Sequence, residues 1–401
     1  MLFSYLPLAL ASFTAEVVLA QSPPSQLWSS IVPKKIKAAY DSVTTDRPYP
    51  QWTGIKTDVG DWQLFPADTW TSGFFPSTLY ALNARLSMCG ATESNGLGQA
   101  DWLKLARTNS ASLASLTKSN TVGHDVGFLA FPFMDELRVD SSNEEARNVV
   151  IGYADFLANR FSPTVGCTRS WDSDAPKFQV IIDNMMNLEL LMVASELTGD
   201  SHYSDIAHSH AKTTMVNHIR DDGSTWHVIE YNENTGAVMD KRTAQGYSDD
   251  STWTRGQSWG IYGFANMYKW FGDDDFLKTA RRLADFYLTH IPKDGVIPWD
   301  FNAPIAGRPA DSSAAMLSVV GLLMLSDVET DSSNADKYEK AALNILNKNT
   351  EFAWNEGWES LLSNGTVSKP VDSFNTGIVY GDYYFVVAGN TLLQMGISSC
   401  H

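Results

Sequence analysis

The chain has 401 residues, of which 44% are hydrophobic and 19% charged, and its net charge at pH 7 is −17. Such a composition is typical of a globular protein long enough for one large domain or two ordinary ones. The acidic balance argues against nucleic acid and anionic membranes as partners, because like charges repel. An anionic substrate would need a local group of cations or hydrogen-bond donors.

The N-terminus predicts a secreted protein. Residues 1–20 are mostly apolar and end in a small-residue pattern, which is typical of a signal peptide removed before Gln21. A buried N-terminal helix is the alternative. Removal of this segment, which carries Glu16 as its one charged residue, leaves a net charge of −16. No later apolar run is long and clean enough to span a bilayer.

Cysteines are too few for a disulfide scaffold, so the fold must depend on a hydrophobic core. Cys89, Cys167 and Cys400 allow one disulfide and one free thiol, and the sequence leaves the pairing open. Residues 364–366 form an acceptor pattern for N-glycosylation, which fits a surface loop of a secreted protein.

Apolar residues at three- and four-residue spacing predict helices along most of the chain. The clearest stripe runs from Phe276 to Ile291, with acidic residues ahead of it that suit a helix N-terminus. A brief alternation at 226–231 predicts a small hairpin. In chain order, the twelve predicted helices lie near 25–44, 72–86, 101–118, 126–138, 142–160, 179–198, 202–219, 254–271, 274–291, 311–326, 335–352 and 381–396.

A weak internal repeat indicates how these helices are arranged. The segments "TGDSHYSDIA" and "FGDDDFLKTA" each join a very apolar helix to an amphipathic one through a Gly-Asp turn. Repeated helical hairpins favour one architecture built from similar units. We therefore predict an all-α fold, an (α/α)6 barrel of six hairpins, as a single domain over 21–401. An open solenoid is the alternative, but it would leave one face of the apolar helices wet.

Loops at one end of the inner helices should form a cleft, and unusual residues gather in short blocks that fall there. Trp70 precedes a helix, where a core tryptophan is the simpler interpretation. His124 and Asp125 lie between two glycines at the start of another helix. Capping by Asp125 with a solvated His124 is as plausible for this block as a functional pair.

The stretch "VIIDNMMNLELLMVASELTGD" begins at Val180 and places a carboxyl, Asp183, in a very apolar predicted helix. Asp183 and Asn187 would lie on one helix face. Apolar surroundings disfavour the charged form of a carboxyl, and a protonated carboxyl can donate to a substrate. The alternative is a structural aspartate that caps a helix or pairs with an arginine.

The segment 226–260 is dense with ligand-type groups. Arginine can bind a carboxylate with two hydrogen bonds, and flat indole faces suit sugar rings. A loop that packs on itself would explain the tryptophans but not the run "RGQSW". A fifth block, "VIPWDFNAPIAGRPADSSAAML", precedes another apolar helix, where capping by Asp311 or Ser312 is as plausible as ligand contact. No segment resembles a phosphate loop, a metal-ligand set or a nucleophile elbow, so we predict no cofactor and no metal.

Together, "HDVGF", "IIDNMMN", "QGYSDDSTWTRGQSWGIYGFA" and "PWDFNAP…DSSAA" resemble the unsaturated glucuronyl hydrolases of glycoside hydrolase family 88. That family has an (α/α)6 barrel. The resemblance implies that Asp183 is the proton donor and then the base, with Asp125 as a second essential carboxylate. It also implies that the sugar site is lined by Trp70, His124, Trp171, His227, Gln245, Trp253, Arg255 and Trp259.

The implied reaction is removal of a 4,5-unsaturated glucuronic acid from lyase-generated oligosaccharides by hydration of the C4=C5 bond. The alternatives are an unsaturated rhamnogalacturonyl hydrolase of the same fold, an ordinary inverting glycosidase and a non-catalytic sugar-binding barrel. Gln257 and the two carboxylates favour the glucuronyl type by resemblance. The expected partner is an unsaturated uronic-acid oligosaccharide, and nothing in the sequence indicates an obligatory protein partner.

Overall fold

The computed structural model describes residues 22–400, so the predicted signal peptide lies outside the described residues. No helix of the described part is long and apolar enough to cross a membrane. As predicted, twelve α-helices occur within these residues: Ile31–Ser42 (α1), Phe74–Cys89 (α2), Trp102–Ser110 (α3), Val126–Val139 (α4), Glu144–Ala158 (α5), Leu188–Thr198 (α6), Ser201–Asn217 (α7), Thr254–Phe271 (α8), Asp274–His290 (α9), Ser312–Val328 (α10), Ser332–Ala353 (α11) and Val379–Gln394 (α12).

Short antiparallel strands lie in the segments that connect the helices and form four small sheets. The predicted hairpin near 226–231 is present, but its first strand also pairs with an earlier strand. The sheets comprise Tyr49–Thr53 (β1) with Trp62–Phe65 (β2), Phe161–Ser162 (β3) with Cys167–Thr168 (β4), Lys177–Ile181 (β5) with Val228–Asn232 (β6) and Val238–Arg242 (β7), and Gly365–Ser368 (β8) with Ser373–Thr376 (β9).

The even-numbered helices form a closed inner ring. Each contacts the next even-numbered helix, and α12 returns to contact α2, which closes the circle. The odd-numbered helices α3, α5, α7, α9 and α11 each pack as a hairpin on the inner helix before them. The predicted (α/α)6 barrel is therefore confirmed. The helices that read as apolar all round, such as α10, are those of the inner ring, with buried residues on every face.

Glycines allow the inner helices to approach closely. A Cβ added at Gly127 on α4 would lie 2.2 Å from Oδ1 of Asn187. A Cβ at Gly73, which precedes α2, would lie 1.8 Å from the carbonyl oxygen of Phe128. Because real Cβ atoms essentially never approach this closely, only glycine fits at these contacts. The loops at this end of the barrel are thereby held near one another.

The two repeated Gly-Asp turns have the predicted geometry. Gly199 ends α6 with φ of 76°, and Gly272 ends α8 with φ of 66°, a conformation that favours glycine. Asp200 and Asp273 then cap α7 and α9 by accepting a backbone N–H.

Three predicted helices differ from the structure. The first two are divided: 25–44 into a 3-10 turn and α1, and 101–118 into α3 and a 3-10 segment. The third, 179–198, is wrong at its start, because β5 occupies 177–181 and a 3-10 helix, Ile182–Asn187, precedes α6. We call this 3-10 helix the Asp183 turn. The β-branched run 180–182 pairs with β6 or hydrogen-bonds beside it, and this tertiary pairing overrides the local helical pattern.

The cysteine pairing that the sequence leaves open is Cys89 with Cys400, and Cys167 is free and buried. The disulfide joins the C-terminal end of α2 to the end of the described chain, 311 residues later. It therefore ties the terminal residues to the inner ring.

Candidate active site

The predicted site residues converge on one end of the barrel. Alternate helices run in the same direction, so the N-terminal ends of the inner helices lie together. Trp70 precedes α2, His124 and Asp125 precede α4, Asp183 precedes α6, and Trp253 is the N-cap residue of α8. All these side chains therefore come from loops or first turns at the same barrel mouth.

Asp183 lies on a short 3-10 helix rather than inside an α-helix, which corrects the expected context. Its side chain is 13% exposed, so it reaches the barrel mouth, and Ile182, Met185 and Met186 around it are buried. Because the turn is not α-helical, Asn187 does not share a helix face with Asp183 as predicted; it is buried against Gly127. The acid is confined by apolar neighbours but still accessible.

His227 is the polar neighbour of Asp183. Its Nε2 lies 3.5 Å from Oδ2 of Asp183, and the ring is almost fully buried. The backbone N–H of Ala244 donates to Nδ1 of His227 at 3.1 Å. Since a backbone N–H can only donate, Nδ1 carries no proton in the neutral ring. The ring proton therefore lies on Nε2, the atom that faces the carboxyl of Asp183.

His124 lies beside the second carboxylate. It is fully buried, which excludes the solvated position considered above, and its Nε2 lies 2.9 Å from Oδ1 of Asp125 without in-line hydrogen-bond geometry. Burial lowers the pKa of His124, but the carboxylates of Asp125 and Asp183 outweigh burial and raise the pKa. The negative charge of the two carboxylates thus favours the protonated form of His124. Asp125 makes no helix-capping hydrogen bond, so capping does not explain its position.

Aromatic rings form the walls around Asp183. The ring of His227 lies 4.6 Å from Trp253 and meets Trp171 edge-on at 5.8 Å. On another side, Trp70 lies 5.3 Å from Tyr380, a buried residue at the start of α12. These faces suit the apolar faces of a sugar ring.

Arg255, predicted to contact the sugar, is buried and donates hydrogen bonds within the protein. Its Nη1 donates to Asp311 at 2.5 Å and to the carbonyl of Thr366 at 2.6 Å. Its Nη2 donates to the carbonyl of Val367 at 2.8 Å and to Oε1 of Gln245 at 3.3 Å. Four of its donor contacts are thus made within the protein. Gln245, with its amide oxygen facing Arg255, keeps its N–H groups for another acceptor.

Several polar atoms of this cluster have no hydrogen-bond partner among the described residues, although they are buried. Such atoms are costly in a protein interior unless a ligand or water binds them. They are Nε2 of His227, Oδ2 of Asp183, both ring nitrogens of His124, Nε1 of Trp253 and of Trp259, and the hydroxyl of Tyr380. All of them belong to residues gathered at this end of the barrel, which indicates a candidate site for a polar ligand at the barrel mouth.

Comparison with known proteins identifies relatives of this chain. No family model matches the sequence. An unsaturated glucuronyl hydrolase of Formosa agariphila is 37% identical over 331 residues, which cover 80% of each chain. An unsaturated chondroitin disaccharide hydrolase of Streptococcus pneumoniae is 36% identical over 279 residues, or 66% of this chain and 69% of the relative. The crystal structure of an unsaturated glucuronyl hydrolase specific for heparin superposes with a TM-score of 0.83 at 28% identity, covering 94% of this chain and 98% of the other.

This chain belongs to the unsaturated glucuronyl hydrolase family. Membership follows from the 37% identity over four fifths of both chains, and it makes the protein a glycosidase. The family resemblance noted in the sequence is thereby confirmed. A non-catalytic sugar-binding barrel is no longer a competing interpretation.

Two residues lie differently from what the sequence suggested for a glucuronyl hydrolase. Gln257 is fully buried, and its amide donates to the carbonyls of Gly223 and Leu283. It therefore stabilises the barrel and does not reach the barrel mouth. Trp259 is buried on α8, where its ring lies 5.7 Å from that of Phe128.

Tyr380 packs against the predicted site residues Trp70 and Arg255 but was missed by sequence reasoning. Its ring lies 5.4 Å from the guanidinium carbon of Arg255. Burial raises the pKa of Tyr380 to about 12, with Arg255 acting in the opposite direction. The aromatic block "VYGDYYF" at a predicted helix start was the available signal.

Proposed function

We propose that this protein removes 4,5-unsaturated glucuronic acid from the non-reducing end of lyase-generated oligosaccharides by hydrating the C4=C5 bond. The observation that carries the proposal is the position of Asp183. Its carboxyl reaches the barrel mouth among apolar and aromatic neighbours, and within residues 22–400 no Lys or Arg lies within ion-pair distance of it. A carboxyl in this position, with no ion-pair partner of its own, is placed to transfer a proton to a bound substrate.

The reaction requires Asp183 to donate one proton and later to accept one. The unsaturated ring is a vinyl ether, so protonation at C4 by Asp183 leaves a positive charge shared between C5 and the ring oxygen. Water adds to C5 while the Asp183 carboxylate removes its proton. The hemiketal then opens by breaking the C5–O bond, and the remaining hemiacetal at C1 expels the rest of the oligosaccharide. General acid–base help of this kind typically contributes about 10²–10⁴ in rate.

The neighbours of Asp183 have roles that fit this sequence. The Nε2–H of His227 faces the carboxyl and stabilises its charged form after the proton has left. The side chain of Asp125 is 19% exposed beside His124, a position from which its carboxylate stabilises the cationic transition state. Trp171, which is half-buried, provides a flat face for the sugar ring, and the buried Trp253 packs against His227 and Arg255. Gln245, oriented by Arg255, offers N–H donors to the sugar carboxylate or hydroxyls.

Relatives suggest a substrate class. One relative is an unsaturated chondroitin disaccharide hydrolase, and one similar structure is that of an unsaturated glucuronyl hydrolase specific for heparin. We propose an unsaturated glycosaminoglycan-type disaccharide as substrate of this protein. An unsaturated rhamnogalacturonyl substrate is the competing possibility.

We also propose that the protein is secreted. The apolar segment 1–20 and the Cys89–Cys400 disulfide fit an oxidising compartment. Glycosylation at Asn364 would have to precede folding, because Thr366 of the acceptor pattern is buried and its hydroxyl donates to the carbonyl of Ala310. N-terminal sequencing of protein from the culture medium tests cleavage of the signal peptide, and its intact mass tests glycosylation. A retained residue 1 would contradict cleavage.

The function is tested by following the ultraviolet absorbance of the conjugated double bond. Unsaturated disaccharides with galactosamine, glucosamine, glucose or rhamnose next to the unsaturated ring are compared, with the matching saturated disaccharides as controls. We expect loss of absorbance with a glucuronyl disaccharide, no hydrolysis of saturated controls, and a loss of about 10²–10⁴ in kcat for Asp183→Asn, a near-isosteric change. Turnover of the rhamnose-linked substrate alone would favour the competing hydrolase. Wild-type turnover by Asp183→Asn would refute the assignment of the acid.

A further inference from the structure

Behind Asp183, a line of buried polar side chains runs from the Asp183 turn to an outer helix. Asn184 follows the acid directly and is fully buried. Its Nδ2 donates to the hydroxyl of Thr168 at 2.7 Å and to the carbonyl of the same residue at 3.2 Å. Thr168 ends β4 and is also fully buried. The acid-bearing turn is thus attached through its side chain to a strand 16 residues earlier.

The line continues to His210 on α7. Nδ1 of His210 lies 3.1 Å from the backbone nitrogen of Thr168 and 3.2 Å from its hydroxyl. Burial lowers the pKa of His210 to about 3, so the ring is neutral at ordinary pH. Because the backbone N–H can only donate, Nδ1 is the acceptor. The Thr168 hydroxyl must then donate to His210 and accept from Asn184.

Hydrogen bonding fixes one direction along the whole line: Asn184 donates to Thr168, and Thr168 donates to His210. No member can reverse its role without losing a contact, which makes the arrangement a single geometry. The same strand segment leads to the wall residue Trp171, which pairs with β5 through Gln179. Trp171 is held by this backbone pairing, which does not depend on the Thr168 hydroxyl.

We propose that Asn184, Thr168 and His210 form a positioning network that aims the Asp183 carboxyl at the reacting carbon. This inference rests on the proposed function, because it assigns the network a task in proton transfer by Asp183. None of the three residues touches the sugar in this assignment. Their effect is on the geometry of the acid, where a displacement of about 1 Å can cost 10²-fold in rate.

The test is a graded series at Thr168. Thr168→Ser keeps the hydroxyl, Thr168→Cys keeps a weak donor, and Thr168→Val keeps the shape but removes the two hydrogen bonds of the hydroxyl, leaving those of the Thr168 backbone. We expect kcat to stay within about threefold of wild type for the serine variant and to fall about 10–100-fold for the valine variant. KM should stay within about threefold throughout, because the sugar contacts are not changed. A merely structural role would lower thermal stability without this ordered fall in kcat.

Thr214→Val is the matched control. Thr214 lies one turn from His210 on α7 and is fully buried, and its hydroxyl lies beside the thiol of Cys167 and takes no part in the line. We expect unchanged kcat for this variant. If Thr168→Val does not fold, the difference between the serine and cysteine variants decides. Unchanged kcat in folded Thr168→Cys and Thr168→Val would overturn the network with the proposed function intact, whereas an inactive wild type would overturn both.

Discussion

The ion pair between Arg255 and Asp311 supports a quantitative prediction about stability. Both side chains are buried, at 2% and 0% exposure, and Nη1 of Arg255 lies 2.5 Å from Oδ2 of Asp311. Oδ1 of Asp311 accepts separately from the backbone nitrogens of Ser313 and Ala314 and so caps α10. One carboxylate therefore neutralises a buried cation and starts an inner helix.

Asp311→Asn keeps an oxygen for the helix cap but removes the charge. Arg255 would remain buried with an uncompensated charge, which typically costs 3–5 kcal/mol. Asp311→Ala should cost about 1 kcal/mol more, because it also removes the cap. The control is Asp336→Asn, since Asp336 and its partner Lys340 are 70% and 71% exposed. An exposed pair of this kind contributes about 0–1 kcal/mol.

Urea denaturation of the purified variants measures these differences. A loss of 3–5 kcal/mol would be a large share of the roughly 5–15 kcal/mol typical of a folded protein. The double variant Arg255→Gln/Asp311→Asn should be more stable than Asp311→Asn alone, because no unpaired charge is left in the interior. If Asp311→Asn loses less than about 1 kcal/mol, as the exposed control should, the pair does not hold the barrel mouth together and the reasoning is refuted.

Two further changes test the packing and the pH response of the barrel. Burial raises the pKa of Asp382 from 3.8 to about 7. Between these values the folded chain binds a proton that the unfolded chain has lost. The free energy of unfolding should therefore fall as pH rises through this window, by at most about 4 kcal/mol for this residue. Asp382→Asn should flatten that part of a curve of unfolding free energy against pH. An unchanged slope in this variant would contradict the assignment. Gly127→Ala places a Cβ 2.2 Å from Oδ1 of Asn187 and should lower the free energy of unfolding by about 1–3 kcal/mol. Gly357→Ala, whose nearest neighbour lies 3.5 Å away, should stay within about 0.5 kcal/mol, and equal effects would refute the close-packing argument.

Local patterns predicted the barrel because each helix carries its own signal. The stripe from Phe276 to Tyr287 is buried along α9, and the Gly-Asp turns end and begin helices as expected. Asp311 caps α10, as its position before an apolar run indicates. Capping, periodicity and turn conformation are interactions within a few residues, so a single sequence contains them.

The Asp183 turn was mispredicted because its conformation depends on distant residues. A buried strand and a buried helix both read as a continuous apolar run. The run Val180 to Ile182 was the available sign of a strand, but its partner β6 lies nearly fifty residues later. The tie from Asn184 to Thr168 and the neutralisation of Arg255 by Asp311 likewise join segments that only the folded chain brings together.

The junction between a strand and a helix explains how one carboxyl can be both confined and accessible. The backbone nitrogen of Ile182 donates to the carbonyl of His227 at 3.0 Å, so the residue before Asp183 is bonded directly to the residue that faces it. The separation of acid and imidazole is therefore set by sheet pairing and does not depend on the tilt of α6. A position inside a regular helix would have the hydrophobic neighbours without this constraint. Asp183 lies two residues beyond the strand, directly after the bonded Ile182, so its backbone position is fixed, while the 3-10 turn leaves its side chain at the barrel mouth.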